Sequence, residues 1–530
     1  MNIPTNSSLF ITIILFAAFA ISCTTEKADI ILTNGKIFTS DSTQLYVEAL
    51  AIKGNVILAA GKNETIQTFA SSQTKTFDLK GRTVVPGFND AHDHPGWDAP
   101  IGNRFSYNEF NPMGLTKQSV LDSVSRLVKT TKPNQWIYGS IGTSVLNDSS
   151  MRIALDKIAP NNPVLLQIWW GHGQVVNKKA LDACGVSDND PDPIGGWYSR
   201  NKMGLIYALH ENAEAPFWFA LYHSEPENLI KGLQAYAQTQ LRNGITSIQY
   251  MGTGFKESEA KDILLKAQIQ QRVRMIGWPA STEKGRSLDD WKSGNISLNN
   301  LTSISGIKYV IDGTPFEQNS LNRNPYHSNW YGRLNYPIDT IKQILKEALS
   351  SERQLCMHIV GDSTLSVVLK TMKEVGSAKD WKNKRVRIEH STSPFVTETE
   401  IEMIKEMGLL LMHTPKYGQP TKLKSFIDRG LIVGIAPDGT VNPFWDIMVM
   451  TTQQANQSEN LTREQAVIAY TKTNAFAEFD ETKKGVLANG MLADLAVLSQ
   501  DIFTIPHEQL PATKSILTIV DGQIVHEDME

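Results

Sequence analysis

Cysteine is scarce. Cys23, Cys184 and Cys356 are the three in 530 residues, too few for a disulfide framework. Cys184 and Cys356 stand in apolar stretches and read as buried small hydrophobes. Excess charge of one sign is also missing. Lys and Arg number 51 against 55 Asp and Glu, a net −4, which leaves no electrostatic footprint for nucleic acid. No run of like charges forms a tail, and there is neither a short-period repeat nor a low-complexity tract past the N-terminus. The apolar run Leu9 to Ile21 is 13 residues long, short of what a stable bilayer-spanning helix needs. What remains is ordinary globular material, 41% hydrophobic and 20% charged. The chain is long enough for one large barrel with an accessory domain.

Basic residues are absent from positions 1–8, where an export signal usually carries them. Even so, the short apolar core followed by Ala20-Ile21-Ser22-Cys23 resembles a bacterial lipoprotein signal. The resemblance implies a signal peptide over residues 1–22 and lipidation of Cys23. It implies an extracytoplasmic protein anchored to the membrane, on the periplasmic side or at the cell surface.

Short strands fill residues 29–85: Ile30-Ile31-Leu32 before Asn34-Gly35, Ala49 to Ile52 before Lys53-Gly54-Asn55, and Val56 to Gly61. Such turn-bounded apolar runs mark β structure. Residues 485–530 have the same texture, so the two chain ends are expected to pair into one small β-sandwich. Between them the rhythm changes. Ile338, Ile341, Ile344, Leu345 and Ala348 recur at helical spacing. Strand-like runs then end at His358, His390, His413 and Asp438, with helical stretches at 363–375 and 398–407 between them. That alternation predicts βα units and a parallel sheet. The expected fold class is α/β, a TIM-like (β/α)8 barrel over 86–484. Asn243 to Gln249 is a further strand after a helix at about 226–242. The stretch from 97 to 240 exceeds one βα unit and reads as an insertion folded over the barrel mouth.

Val84-Val-Pro-Gly-Phe-Asn-Asp-Ala-His92-Asp-His94-Pro is the most informative segment. In a strand, His92 and His94 point the same way and can reach one metal ion. His358, His390 and Asp438 close later strands, where such barrels place their chemistry. Lys308 lies in Gly306-Ile-Lys308-Tyr-Val-Ile, where a buried lysine is costly unless paired or modified. Carboxylated, Lys308 becomes an anionic oxygen ligand that bridges two cations; unmodified, it contacts substrate. The metal set is therefore His92, His94, Lys308, His358, His390 and Asp438. It suits one or two divalent ions, Zn²⁺ first, with Fe, Mn or Ni as alternatives. Such a centre acidifies a water to hydroxide near neutral pH, and Asp438 is placed to accept its proton and pass it on.

Four further segments join these: Trp170-Gly-His172-Gly-Gln-Val-Val-Asn177, Gly204 to Ala213, His358-Ile-Val-Gly361-Asp362 and Arg387-Ile-Glu389-His390. From about 29 to 528 the chain resembles the amidohydrolase superfamily, in its amidohydrolase-3 (YtcJ-like) branch. The resemblance implies a metal-centred barrel beside a β-sandwich, and hydrolysis of a C–N bond in an amide, formamide or cyclic amide. Two motifs depart from the family: Pro437-Asp438 stands for the frequent Ser-Asp, and His413-Thr414-Pro415 for Gln-Pro. His413 is read as a substrate or metal-shell contact, or as packing. His172 is read as a pocket donor; Trp169 and Trp170 are read as pocket walls or as core. Asp312 either orients a ligand or belongs to the turn before Gly313.

The expected partners are a small-molecule substrate and the lipid that holds Cys23, with a homodimer left open. Two other functions use the same features: an esterase or lactonase with the same centre, and a binding lipoprotein that kept the fold and lost the chemistry. The filled ligand positions argue against the second.

Overall fold

The computed structural model describes residues 26–95, 104–106, 111–252, 255–279, 281–282, 285–286, 294–390, 395–415, 421–439, 442–452 and 456–529. The signal segment and Cys23 lie outside them. Eight parallel strands form the central sheet: β1 (Phe88–Asp93), β2 (Ile245–Gly252), β3 (Arg272–Gly277), β4 (Thr302–Val310), β5 (Gln354–His358), β6 (Arg387–Glu389), β7 (Leu410–His413) and β8 (Ile432–Ile435). Each pairs in parallel with its neighbour from β1 to β8. The last strand returns to the first, where the Asp438 amide donates to the His92 carbonyl at 2.9 Å.

At that seam the buried Asn474 side chain replaces ladder bonds. Its Nδ2 donates to the Asn89 and Ile435 carbonyls at 2.7 Å, and its Oδ1 accepts from the Ile435 amide at 3.0 Å. Gly434 permits the approach, since a Cβ there would meet Asn474 Oδ1 at 2.4 Å. Asn474→Ala strands one buried N–H and two carbonyls. The expected cost is about 3 kcal/mol in urea unfolding; a loss below about 1 kcal/mol would show that the seam does not depend on it.

Helices cover the barrel where apolar residues recur every three or four positions. Helix α1 (Pro226–Arg242) precedes β2. Helix α2 (Ile338–Ser350) buries Ile341, Ile344, Leu345 and Ala348. Helix α3 (Asp362–Val375) follows β5. Helix α4 (Glu398–Met407) starts at Thr397, whose side chain accepts from the Glu400 amide, and stops at Gly408 in the left-handed region, φ 62°. Both ends follow from the residue types.

β3 is a strand that the apolar pattern does not announce, because arginines alternate with its apolar residues. Arg274 turns into the barrel, where it bonds Gln249 at 3.2 Å and Gln354 at 2.9 Å. Cys356 is buried as expected, whereas Cys184 is partly exposed.

Outside the barrel, two sheets pack over a core drawn from both: Leu32, Leu50, Ile52 and Ile57 against Ile37, Val84, Leu495, Val497 and Ile519. One sheet runs through Val56–Gly61, Ala49–Lys53, Ile30–Thr33 and Lys75–Asp78. In the other, Leu495–Leu498 pairs antiparallel with Thr83–Pro86, so the two chain ends share it. Between β1 and β2 the chain builds a six-stranded mixed sheet, ordered Gly196–Arg200, Ile206–Glu211, Gln174–Val176, Val164–Ile168, Ile137–Ile141 and Arg104–Phe105.

Candidate metal centre

The carboxyl ends of the strands converge on one cluster. His92 comes from β1, Lys308 from β4 and His358 from β5; His94 follows β1, His390 follows β6 and Asp438 follows β8. Lys308 Nζ lies 2.7 Å from His92 Nε2. Asp438 Oδ1 is 3.8 Å from His92 Nε2 and 3.5 Å from His94 Nε2. The His390 ring lies 4.8 Å from that of His92 and 4.6 Å from that of His358. All six expected ligands are therefore brought together.

Neighbouring side chains set the imidazole tautomers. His92 Nδ1 is 2.6 Å from Glu389 Oε2 and donates its proton there, leaving the Nε2 lone pair facing the cluster. Glu389 is held by Arg387 at 2.7 Å, and Arg387 also donates to the Ala91 carbonyl at 2.6 Å. His390 Nδ1 is 2.6 Å from the Thr414 hydroxyl, which itself donates to the Ala436 carbonyl at 2.9 Å. Thr414 thus accepts from His390 and frees its Nε2. Such partners orient metal-binding imidazoles. His390 and Asp438 both have positive φ, 69° and 57°, strain of the kind that functional sites retain.

Burial, together with the nearby Lys308 charge, holds His94 down to about 3. Burial and the Lys308 charge likewise hold His390 at about 4, against the pull of Asp438. Burial also holds His92 and His358 well below the usual imidazole range. The imidazoles are neutral, the form that binds metal. Burial also lowers Lys308. Burial raises Asp438, but the surrounding imidazoles and Lys308 outweigh it and keep the carboxyl well below its usual range. The donor set fits a divalent cation on a further observation: His358 Nε2 is buried and has no hydrogen-bond partner among the described residues.

Above the cluster opens a cavity of about 440 Å³, lined by Trp170, His172, Phe316, Tyr326, His358, His390, Phe395, His413 and Asp438 among others. His172 and Trp170 come from the insertion, and the His172 ring sits 4.7 Å from that of His358. Trp170 is a wall residue, and Trp169 meets it edge-on, ring centroids 5.0 Å apart. Glu211 and Glu317, with Glu214, raise His172 to about 9 against the opposing effect of burial.

Asp312 does not line the cavity. Its carboxylate accepts from the Leu321, Val360 and Gly361 amides and from the Thr364 hydroxyl at 2.7–3.2 Å. It ties the loop after β4 to the start of α3 rather than orienting a ligand in the cavity.

Burial lowers His413 to about 3. Its folded value lies below the ordinary 6.5, so as pH falls the unfolded chain takes up the proton first. Stability is lost as pH falls from 6.5 toward about 3, at up to about 1.4 kcal/mol per pH unit. His413→Gln should flatten the acid limb of the stability profile by that amount in urea titrations; an unchanged slope would mean that His413 is not buried neutral.

A parallel barrel that gathers four neutral imidazoles, a lysine and an aspartate at its strand ends defines a metal-dependent hydrolase. The chain belongs to the amidohydrolase family, whose sequence profile matches residues 75–526. It is 25% identical to protein LONG AFTER FAR-RED 3 of Arabidopsis thaliana, over 89% of this chain and 87% of that one. It is 22% identical to an N-substituted formamide deformylase of Arthrobacter pascens, over 95% and 99% of the two chains. Identity to the putative amidohydrolase YtcJ of Bacillus subtilis is 23%, over 93% and 98%. Among solved structures, an uncharacterized metal-dependent hydrolase from Pyrococcus furiosus superposes with a TM-score of 0.67 at 21% identity, covering 90% of this chain and all of that one.

Proposed function

We propose that the chain hydrolyses a non-peptide C–N bond of a small molecule: an amide, a formamide or a cyclic amide. The observation that supports this most is the cluster of neutral imidazoles, Lys308 and Asp438 beside one cavity of about 440 Å³, which His358, His390 and Asp438 line. His92, His94 and Asp438 would hold one divalent ion and His358 and His390 a second, with Lys308 between them as a carbamate; Zn²⁺ suits the mixed nitrogen and oxygen donors. Bound there, the metal supplies Lewis acidity toward the substrate carbonyl and acidifies the attacking water.

The remaining steps belong to the chain. Burial lowers Lys308, and the neutral amine this favours is the form that adds to carbon dioxide. Asp438, ionised, accepts the proton of the attacking water at its carboxylate and returns it to the leaving nitrogen. An amide needs that second transfer more than an ester does, because an amine leaves poorly until protonated. Phe316, Tyr326 and Phe395 offer apolar cover for the substrate body, and His172 and His413 offer polar contacts at the rim. The relative named for deformylating N-substituted formamides is consistent with this class. The signal-like segment ending at Cys23 would put the enzyme on an extracytoplasmic membrane face, with acylation of Cys23 visible by mass spectrometry.

The test is a panel of N-substituted formamides, simple amides, cyclic amides, esters and lactones offered to the purified full chain, with and without a chelator. Amine release that chelation abolishes and metal restores supports the reading. Turnover of esters or lactones alone would favour the esterase alternative, and no metal-dependent turnover across the panel would overturn hydrolysis.

A further inference from the structure

We propose that the cluster of His172, Glu211 and Glu317 behind the cavity wall binds a divalent cation of its own, apart from the centre at the strand ends. In the insertion sheet, Gln167 lies directly opposite Gln174, and Gln174 opposite Leu209. Residues two apart on a strand share a face, so Gln167, Gln174 and Glu211 look the same way. Leu165, Val176 and Leu209 of that face pack with Tyr250 and Met275 of the barrel, so the face is closed from solvent. Glu214 joins the group through Gln167 Nε2 at 3.4 Å.

The donors converge. His172 Nδ1 is 3.1 Å from both carboxylate oxygens of Glu211. One ligand atom each from His172, Glu211 and Glu317 lie within 4.8 Å of one another. Gly313 leaves them room: a Cβ there would stand 2.6 Å from Glu317 Oε1 and 3.3 Å from Glu211 Oε1. Glu317 is anchored by the Trp170 indole N–H at 2.7 Å and the Thr314 hydroxyl at 2.5 Å, as ligating carboxylates commonly are.

Two observations call for a guest. Gln167 Oε1, Glu214 Oε1 and both polar side-chain atoms of Gln174 are buried with no hydrogen-bond partner among the described residues, and these residues are at most 4% exposed. Such groups in a native structure mark an ion or water that completes them. The carboxyl groups also crowd one another: Glu211, Glu214 and Glu317 face one imidazole, and burial pushes Glu214 and Glu317 up. Arg333, whose charge Glu211 feels, stacks 4.2 Å over Trp197 and bonds none of the three. A cation among them would relieve that crowding and hold the carboxylates ionised. One imidazole nitrogen with carboxylate and amide oxygens suits Zn²⁺ or Mn²⁺. The ion would fix His172, and with it the wall beside His358.

The test counts metal in the full chain carrying His92→Asn and His390→Asn, which removes one ligand from each half of the strand-end centre. After equilibration with Zn²⁺ and gel filtration, this variant is expected to retain one equivalent, lost on adding Glu211→Gln, with a zinc-dependent rise in melting temperature lost in parallel. No zinc in the folded double variant, or one equivalent that survives Glu211→Gln, would overturn the proposal. Anomalous diffraction at the zinc edge from wild-type crystals needs no substitution: a peak between His172, Glu211 and Glu317 is expected, and a water there without anomalous signal would overturn it.

Discussion

The Asp438→Asn enzyme is expected to keep its fold and its metal and to lose turnover by about 10³- to 10⁴-fold, the scale of a lost general acid–base. Asparagine keeps an oxygen at the same place, so coordination and shape survive. It cannot accept the proton of the attacking water. The position is built for an anion: His92 and His94 nitrogens lie within 3.8 Å of Oδ1, and they, with His390 and Lys308, hold the carboxyl ionised against its burial. The loss should fall on kcat, with KM changed only a few-fold, because the substrate body rests on other cavity residues. Single-turnover kinetics on the best substrate of the panel checks this. Near-wild-type kcat in the variant would remove Asp438 from proton transfer.

The second large effect is expected from Lys308→Ala. Lys308 is 3% exposed on β4, with its nitrogen 2.7 Å from His92 Nε2. As a carbamate it would supply oxygen to the metal, and alanine would supply none. Activity should fall by well over about 100-fold, the effect felt even when an outer hydrogen-bond partner of a metal ligand is lost. Metal content should fall with it. Added formate or acetate should restore part of both, since a free carboxylate fits the space the side chain leaves. Full metal content with ordinary activity in Lys308→Ala would mean that the lysine is not a ligand.

Much of the centre is legible in the sequence because its residues end strands. His92 and His94 close the strand that opens after Pro86-Gly87, and His358, His390 and Asp438 recur at βα spacing. The structure adds what such periodicity does not carry. β3 escapes because Arg272 and Arg274 interrupt its apolar run. Those arginines bond carboxylates and amides, so the barrel interior tolerates charge where an apolar strand is expected. Glu389 and Thr414 escape as partners of His92 and His390 because the contacts join different strands, 297 residues apart in the first case and 24 in the second. Phe316 and Tyr326 lie in the segment between β4 and α2, whose 27 residues (311–337) exceed an ordinary βα connection and carry no chemical motif. Asp312 misleads for the opposite reason: an aspartate four residues past Lys308 looks like a ligand orienter, yet backbone amides claim its oxygens.

The measurement that tests the account most directly is metal analysis of the purified chain, prepared with bicarbonate, beside the His92→Asn, His390→Asn double variant. At least two equivalents of a divalent metal are expected in the wild type and two fewer in the variant, with hydrolysis lost in proportion. Equal metal content in the two proteins, or none in the wild type, would contradict it.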